Sequence, residues 1–427
     1  MAATFVLVAP GEAGHALPML AVCDALVRRR HRVVVCASAR FAEATRSAGG
    51  EFAECRRYRA LPDRMSAAPP APRWLPQRIQ PLWMYRRILV DTVRDLVADI
   101  EDAIAGLPVD GIVGDFLTGM GARYVAERRG VPYASLGPTP FAALDARGLP
   151  LLSPHPLARH LPPRVLAAGL DALFPLRRVR RELGLAAAPS GRAEFVQLAE
   201  SDQLHLVLAH PEFVPQADPR PHHAFVGPMS FEPPRTEPSE SAPELAIEPG
   251  TVLVATTTAP RDPGVFARAV QAVAELGVPV LATRAGATEL PPDLGAHVRV
   301  VDHAPHELVL PRVRALVTHG GWGTVSRALR LGVPMVIIPL FGDQPAVAAR
   351  AAALGVAYHV PLAEASVAVI RDKVAALLRD ELVQARVREV ARQLAELDPR
   401  RRTGELLERL VASRATNPSE VRAWATP

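Results

Sequence analysis

Short apolar runs alternate with longer segments of helical periodicity along most of the chain. Thr4–Val8 is a continuous apolar run, and a helix-patterned segment follows it to Arg30. The second half begins in the same way, with an apolar run at 251–256 and a helical pattern over Val265–Leu276. Continuous apolar strands separated by helices are typical of parallel sheets that are covered on both faces. The pattern therefore predicts an α/β protein with two Rossmann-like parallel-sheet domains.

Further strands are predicted in both halves by short runs rich in Val, Ile and Leu. These runs are Arg32–Cys36, Gly111–Val113, Tyr133–Leu136, Val280–Ala282, Val298–Val301, Ala315–Val317 and Met335–Ile338. Between the halves, Pro211–Gly250 is rich in Pro, Glu and Ser and follows neither period, which indicates an exposed linker. The predicted organisation is an N-terminal domain over 1–215, a linker over 216–248, a C-terminal domain over 249–400, and a final helix and tail over 401–427. We expect that final helix to cross back to the first domain.

Composition narrows the possible partners and compartments. The 427 residues suit two domains of about 200 residues each. The net charge of +5 comes from one lysine and 48 arginines that are scattered among acidic residues, which argues against a nucleic-acid partner. Three cysteines without a CxxC pair argue against a disulfide framework or a zinc site. Because no apolar run approaches the roughly 18 residues of a membrane span, we expect a cytoplasmic protein without stable membrane insertion.

Two irregular or amphipathic stretches are candidates for contacts with other molecules. Leu61–Pro81 carries repeated prolines, and a loop this long inside a domain is usually functional or mobile. The acceptor-binding candidates in and after this loop are Trp74, Trp83, Met84 and Tyr85. The stretch Leu166–Leu183 is amphipathic with four clustered arginines, so it could touch a membrane, although a solvated helix face is the favoured interpretation.

The strongest signal lies in residues 303–344, HAPHELVLPRVRALVTHGGWGTVSRALRLGVPMVIIPLFGDQ. Here Ala315–Val317 is predicted to be a strand, and the His319-Gly320-Gly321 turn leads into a helix from about Trp322 to Leu331. Glycines let a backbone approach a ligand closely, and the first N–H groups of a helix have no partner inside it. Together with the helix dipole they form an anion site suited to a diphosphate. Taken alone, these glycines fit an ordinary strand–helix turn equally well.

The whole segment resembles the nucleotide-sugar signature of the family-1 glycosyltransferases, and Phe225–Pro228 resembles the interdomain junction of that family. The resemblance implies a GT-B fold, in which two Rossmann-like domains face each other across a cleft. It implies that a hexose or deoxyhexose moves, with inversion, from a dTDP- or UDP-sugar to a hydroxyl of an apolar natural product. The nucleotide sugar would be a co-substrate, and no cofactor is expected.

The resemblance also assigns roles on the donor side. His303 would stack on the base in place of the usual tryptophan, and Thr257 and Thr258 stand where the family has a Gly-Ser loop near the phosphates. Diphosphate contacts would come from His319 and Thr324, with Gly320, Gly321, Trp322 and Gly323 on the same turn, and contacts to the sugar hydroxyls from Asp343 and Gln344. The most serious departure from the family is Arg327, which occupies the place where the family often has a glutamate that accepts hydrogen bonds from the ribose. Because arginine only donates, the ribose contact must differ.

The acceptor side needs a base. His15 follows the first strand at a predicted helix start, at the carboxyl edge of the sheet where ligands of α/β proteins bind. A neutral histidine can accept a proton there, although it could also merely cap backbone groups. Asp115 follows the strand at 111–114 and matches the aspartate that holds the catalytic histidine in the family, or else it is a helix N-cap.

No Asp-x-Asp pair is present, so no metal site is expected, and the helix terminus would stabilise the leaving diphosphate. Two alternatives stay open at this point. One is a nucleotide-sugar epimerase or hydrolase of the same fold, which would act without an acceptor. The other is a catalytically silent partner of another transferase, which the intact set of His15, Asp115, Asp343 and Gln344 argues against. The sequence does not identify the acceptor, the sugar, the nucleotide or the oligomeric state.

Overall fold

The chain forms two compact units, each with its own sheet. The structure, a computed structural model, describes residues 2–59, 80–145, 162–187, 192–214, 220–233, 247–255, 264–284, 290–302 and 304–413. The first unit comprises Met1–Ala209, Val214–Pro234 and Asp398–Pro427, and the second comprises His210–Phe213 and Arg235–Leu397. The last segment of the chain thus belongs to the first unit, and a short piece from the end of the N-terminal half belongs to the second.

In the first unit the described residues form a seven-stranded parallel sheet. Its strands are β1 (Thr4–Val8), β2 (Arg32–Ala37), β3 (Glu51–Glu54), β4 (Gly111–Asp115), β5 (Tyr133–Gly137), β6 (Leu204–Val207) and β7 (His223–Phe225). The order across the sheet is β3-β2-β1-β4-β5-β6-β7, and all neighbours run parallel. The direction of progression reverses between β1 and β4, which makes a topological switch point where ligands of such sheets bind.

Helices cover both faces of this sheet. They are α1 (Ala13–Arg28), α2 (Ala42–Ser47), α3 (Gln80–Ala103), α4 (Ala122–Arg129), α5 (Pro163–Leu173), α6 (Leu176–Glu182) and α7 (Glu194–Ala199). Side chains of β1 alternate between two cores: Phe5 and Leu7 pack on the side of α1, and Val6 and Val8 pack on the side of α3 and α4. Because both faces are buried, the strand is apolar at every position and shows no alternation of apolar and polar residues.

The second unit repeats the plan with six strands. They are β8 (Val252–Ala255), β9 (Val280–Thr283), β10 (Val298–Val301), β11 (Ala315–Thr318), β12 (Met335–Ile337) and β13 (Ala357–His359), in the order β10-β9-β8-β11-β12-β13. Its helices are α8 (Val265–Ala274), α9 (His306–Val309), α10 (Trp322–Arg330), α11 (Gln344–Ala353), α12 (Val367–Arg379) and α13 (Glu381–Glu396). The switch point here lies between β8 and β11. The predicted fold class of two parallel α/β domains is confirmed.

The final helix α14 (Pro399–Ser413) packs against α1 and places Leu406, Leu407 and Leu410 in the core of the first unit. Ionic contacts accompany the apolar ones, because Glu408 accepts hydrogen bonds from the Arg29 side chain at 2.6 and 2.8 Å. The hydrogen bonds from Arg29 and then His31 hold the pKa of Glu408 at about 2.

Some local predictions need correction. The segment 216–248, predicted to be a linker, contains the short strand β7, which lies at the edge of the sheet. Trp83, Met84 and Tyr85 lie in α3, so the irregular stretch that was predicted to end at Pro81 ends where this helix begins, at Gln80.

The amphipathic stretch at 166–183 forms two helices, α5 and α6, which are separated at Phe174 and Pro175. Three of its four clustered arginines are paired with carboxylates of the same unit; the pairs are Arg177–Asp171, Arg178–Glu182 and Arg180–Glu194. Across the part of the chain that the structure describes, every helix is too short or too polar to cross a membrane.

We predict that Leu407→Ala will destabilise the first unit, because Leu407 is fully buried between α14 and the sheet. Loss of a buried leucine side chain costs about 2–5 kcal/mol in the free energy of unfolding. The matched control is Leu382→Ala at a side chain that is 83% exposed, where a change within about 0.5 kcal/mol is expected. Urea denaturation monitored by circular dichroism measures both, and equal effects would contradict the docking of α14.

Candidate active site

His15 lies in the first turn of α1, directly after the loop that follows β1. Its Nδ1 atom is 3.0 Å from each carboxylate oxygen of Asp115, the last residue of β4. Since a carboxylate only accepts, Nδ1–H donates to Asp115, and Nε2 is the nitrogen that takes up a proton. The His15 side chain is 21% exposed, so a substrate hydroxyl can reach it, whereas the Asp115 side chain is fully buried.

Asp115 accepts hydrogen bonds from its own loop as well. Its Oδ1 atom accepts from the Leu117 N–H at 3.1 Å, the Thr118 N–H at 2.6 Å and the Thr118 hydroxyl at 2.8 Å. Burial alone would raise the pKa of Asp115, but the charge and hydrogen bond of His15 and the two bonds from Thr118 outweigh it and hold that pKa below its usual value. Asp115 therefore stays ionised and holds His15. The alternative of a helix N-cap does not match the structure, because a turn follows Asp115 and the next helix begins only at Ala122.

Neighbouring side chains fix the loop that carries His15. Arg40 donates to the Gly11 carbonyl and to the Glu12 carboxylate, both at 2.8 Å. The Ser38 hydroxyl donates to the Pro10 carbonyl. These contacts tie the loop after β2 to the loop after β1, which limits how far His15 can move away from Asp115.

In the second unit, the turn between β11 and α10 has a backbone that only glycine accommodates easily. Gly320 has φ of +88°, and a Cβ there would lie 2.7 Å from Cγ2 of Ile337 and 3.8 Å from Cβ of Gln344. A Cβ on Gly321 would lie 2.6 Å from Nε2 of His319. The His319 ring therefore lies directly over the start of α10, where the amide groups and dipole favour an anion.

The turn also meets the end of the signature segment. Asp343 immediately precedes α11, and Gln344 is its first residue. The side-chain oxygen of Gln344 accepts from the N–H groups of Leu340 at 2.8 Å and Phe341 at 3.1 Å, so it fixes the loop before α11. The structure thus brings His319, Gly320 and Gln344 together at the carboxyl edge of β11 and β12.

Arg327, which stands where the family often has a glutamate, forms an ion pair. Its Nε atom lies 3.3 Å from Oε1 of Glu307 in α9, and the same carboxylate pairs with Arg330. The carboxylate that the family places at position 327 is therefore replaced here by an arginine with a carboxylate beside it on a neighbouring helix. Glu307 is a residue that the sequence analysis missed, since its proximity to Arg327 depends on the packing of α9 against α10.

The structure describes the remaining predicted donor-binding and acceptor-binding residues only in part. Trp74, Thr257, Thr258 and His303 lie outside the described residues, and for Trp83, Met84 and Tyr85 only the helical backbone is described. The Trp322 indole is buried, with its ring 5.0 Å from that of Phe213. Its backbone is therefore the part that can face a donor. Gly323 and Thr324 follow it in the first turn of α10.

Comparisons with known proteins identify the family of this chain. A family model described as UDP-glucoronosyl and UDP-glucosyl transferase matches residues 262–395. The 4'-demethylrebeccamycin synthase of Lentzea aerocolonigenes is 30% identical over 426 residues, covering 96% of this chain and 100% of that protein. The chain belongs to the family-1 glycosyltransferases.

Solved structures of other glycosyltransferases share its fold. The calicheamicin glycosyltransferase CalG4 superposes with a TM-score of 0.72 at 24% identity, covering 96% of this chain and 99% of that one. The spinosyn rhamnosyltransferase SpnG, solved with thymidine diphosphate, gives 0.67 at 20% identity with coverage of 96% and 99%. The GT-B fold is thereby confirmed. The family model and the 30% identical relative show that the protein is a nucleotide-sugar glycosyltransferase.

One cluster in this glycosyltransferase has the composition of a metal site. Among the described residues, Glu200, His222 and His223 are buried and offer ligand atoms within 4.8 Å of one another. However, Arg192 and Arg220 already lie 3.4 and 3.6 Å from Oε1 of Glu200. Two guanidinium groups supply the positive charge that a cation would bring, so this cluster is better described as a buried ion network. It lies at the amino ends of β6 and β7, opposite to the edge that carries His15.

Proposed function

We propose that this glycosyltransferase moves a hexose or deoxyhexose from a nucleotide-diphosphate sugar to a hydroxyl of an apolar natural product, with inversion and without a metal ion. The observation that carries the proposal is the pair of His15 and Asp115 at the switch point of the first sheet. A partly exposed histidine that is held by a buried carboxylate is the arrangement a general base requires.

The proposed reaction is a direct displacement. The proton of the acceptor hydroxyl passes to Nε2 of His15, and the acceptor oxygen forms a bond to the anomeric carbon. The bond from that carbon to the diphosphate oxygen breaks, and its electron pair leaves with the nucleoside diphosphate. Asp115 stabilises the imidazolium that forms. An attack opposite to the leaving group inverts the anomeric carbon.

Apolar groups next to the base support an apolar acceptor. The Phe116 ring stacks on His15, with centroids 6.0 Å apart and an angle of 25° between the planes. Leu117 is 40% exposed although it is a large hydrophobic residue. Together they present an apolar surface beside the base, and the predicted contacts of Trp74, Trp83, Met84 and Tyr85 would extend it.

The leaving diphosphate would be bound at the start of α10, with hydrogen bonds from His319 and Thr324. Asp343 and Gln344 would bind the hydroxyls of the sugar. Because the side-chain oxygen of Gln344 is already bonded to backbone amides, its NH₂ group would donate to the sugar. His303 would stack on the nucleobase of the donor, and Thr257 and Thr258 would lie near its phosphates.

The donor nucleotide is proposed to be dTDP. A glutamate at position 327 would accept hydrogen bonds from both ribose hydroxyls of a UDP donor, whereas Arg327 cannot accept any. A deoxyribose has one hydroxyl fewer to satisfy, so the missing carboxylate costs a dTDP donor less. The complex of the related SpnG structure with thymidine diphosphate is in line with this choice.

His15→Ala is expected to lower turnover by about 10²–10⁴-fold and to leave nucleotide affinity nearly unchanged, because the base acts on the acceptor. Asp115→Asn should lose less activity, since Asp115 orients the base and does not itself take the proton. His297→Ala, at an exposed histidine, is the matched control and should behave like wild type. Product formation from dTDP- and UDP-sugars with a panel of apolar acceptors measures turnover. More than a tenth of wild-type activity in His15→Ala would exclude the general-base role.

Chelation is expected to leave the rate unchanged, because helix amides, His319 and Thr324 would do the work that a metal does elsewhere. The measurement is the initial rate before and after exhaustive treatment with EDTA, with the buffer-exchanged enzyme as control. A loss of activity that magnesium or manganese restores would overturn this account of the leaving group.

The wild-type enzyme is expected to bind dTDP about two- to tenfold more tightly than UDP, which corresponds to one hydrogen bond of about 0.5–1.5 kcal/mol. Arg327→Glu should narrow or reverse this preference by restoring an acceptor. Glu307→Gln is the control, because it breaks the same ion pair without placing a carboxylate on α10. Calorimetry of both diphosphates against the three proteins decides the question: equal affinities that neither substitution changes would mean that Arg327 does not select the nucleotide.

A further inference from the structure

Thr118 connects the two loops that carry His15 and Asp115. Its hydroxyl and its backbone N–H both donate to Oδ1 of Asp115, at 2.8 and 2.6 Å. Its methyl group packs against Gly11 so closely that a Cβ on Gly11 would lie 2.2 Å from Cγ2 of Thr118. One side chain therefore contacts the carboxylate at the end of β4 and the loop that leads from β1 to His15.

We propose that Thr118 is a positioning residue for the His15–Asp115 pair, and that its hydroxyl fixes the rotation and the ionised state of the Asp115 carboxylate. The proposal rests on the proposed function of His15 as the base. With Oδ1 held by the hydroxyl and two backbone amides, the carboxylate cannot rotate freely, and both of its oxygens stay 3.0 Å from Nδ1 of His15. Thr118 itself need not touch either substrate.

Two other titratable groups, Tyr133 and Glu12, lie near the His15–Asp115 pair. On β5, burial raises the pKa of Tyr133 well above its usual value, so this phenol stays neutral over the working pH range. On the loop before α1, Glu12 is ion-paired with Arg40, and both side chains are about half exposed. The Tyr133 phenol therefore does not change charge near neutral pH, and the pH profile of a Thr118 variant is interpreted through the His15–Asp115 pair.

The sign of the expected shift follows from the hydrogen bond. The hydroxyl donates to the ionised carboxylate, so its loss makes the pair hold a proton more tightly. The active form with neutral His15 is then reached only at higher pH. In Thr118→Val, the acid limb of kcat/KM should therefore move to higher pH by up to about one unit, the equivalent of one hydrogen bond. We expect turnover at neutral pH to fall about tenfold.

Two variants separate the contributions of the side chain. Thr118→Val keeps a methyl group against Gly11 and loses the hydroxyl, whereas Thr118→Ser keeps the hydroxyl and loses that methyl. We expect Thr118→Ser to stay within about twofold of wild type with an unshifted acid limb. Circular dichroism and calorimetric binding of dTDP check that both variants are folded with an intact donor site. If Thr118→Ser loses as much activity as Thr118→Val and neither shifts the acid limb, the role of Thr118 is packing alone and the proposal is wrong.

A double-mutant cycle distinguishes this proposal from the proposed function. If Thr118 acts through the carboxylate, Thr118→Val should cost much less in an Asp115→Asn background than in wild type. An equal cost in both backgrounds would overturn the inference while leaving the base assignment intact. Full activity of His15→Ala, in contrast, would overturn the proposed function first.

Discussion

A buried negative charge at the end of β4 is the constraint around which the first unit is arranged. The Asp115 side chain has no exposed surface, and an ionised carboxylate in such a place must be fully hydrogen-bonded or it becomes protonated. The backbone after β4 therefore turns so that two amides and the Thr118 hydroxyl meet one oxygen. The carboxylate also accepts the hydrogen bond from Nδ1–H of His15, and this bond fixes the tautomer of the ring. The contact of Thr118 with Gly11, and the hydrogen bonds from Arg40 to the Gly11 carbonyl and the Glu12 carboxylate, hold the loop that leads to that ring.

In the second unit the proposed ligand is an anion, and backbone amides in place of charged side chains would bind it. An anion site made from helix amides needs the chain to turn sharply from β11 into α10, and Gly320 provides this with a left-handed backbone against Ile337. Amide dipoles do not titrate, so the site as we propose it would bind a diphosphate over a wide pH range. Arg327 lies further along the same helix and pairs with Glu307 of α9, so the nucleotide preference that we propose for this position would not disturb the turn.

Most of the described strands, and the turn from β11 into α10, could be predicted from the sequence because their residues are apolar runs or glycines at fixed positions. Strands buried on both faces are continuously apolar, and the segment at 303–344 carries its glycines and polar residues at fixed spacing. The strands β3, β6, β7 and β13 were missed because each has only three or four residues and includes a glutamate or a histidine, so tertiary pairing decides them. The contacts of Thr118 and Glu307 were missed for another reason: each joins a neighbouring loop or helix, and no periodicity encodes such a contact.

The two units show how one topology supports two kinds of chemistry. Both reverse their strand order beside the first strand, so both open a crevice at the same edge of the sheet. In the first unit the loops there hold a titratable pair next to the apolar surface of Phe116 and Leu117, which suits deprotonation of a hydroxyl on an apolar molecule. In the second unit the corresponding loop is a glycine turn without an acidic side chain, which suits a polyanion. A carboxylate placed as Asp115 is would repel a diphosphate, and the glycine turn holds no carboxylate that could orient a base as Asp115 orients His15. The proposed base and the proposed diphosphate site therefore need different loops, and they are found on different sheets.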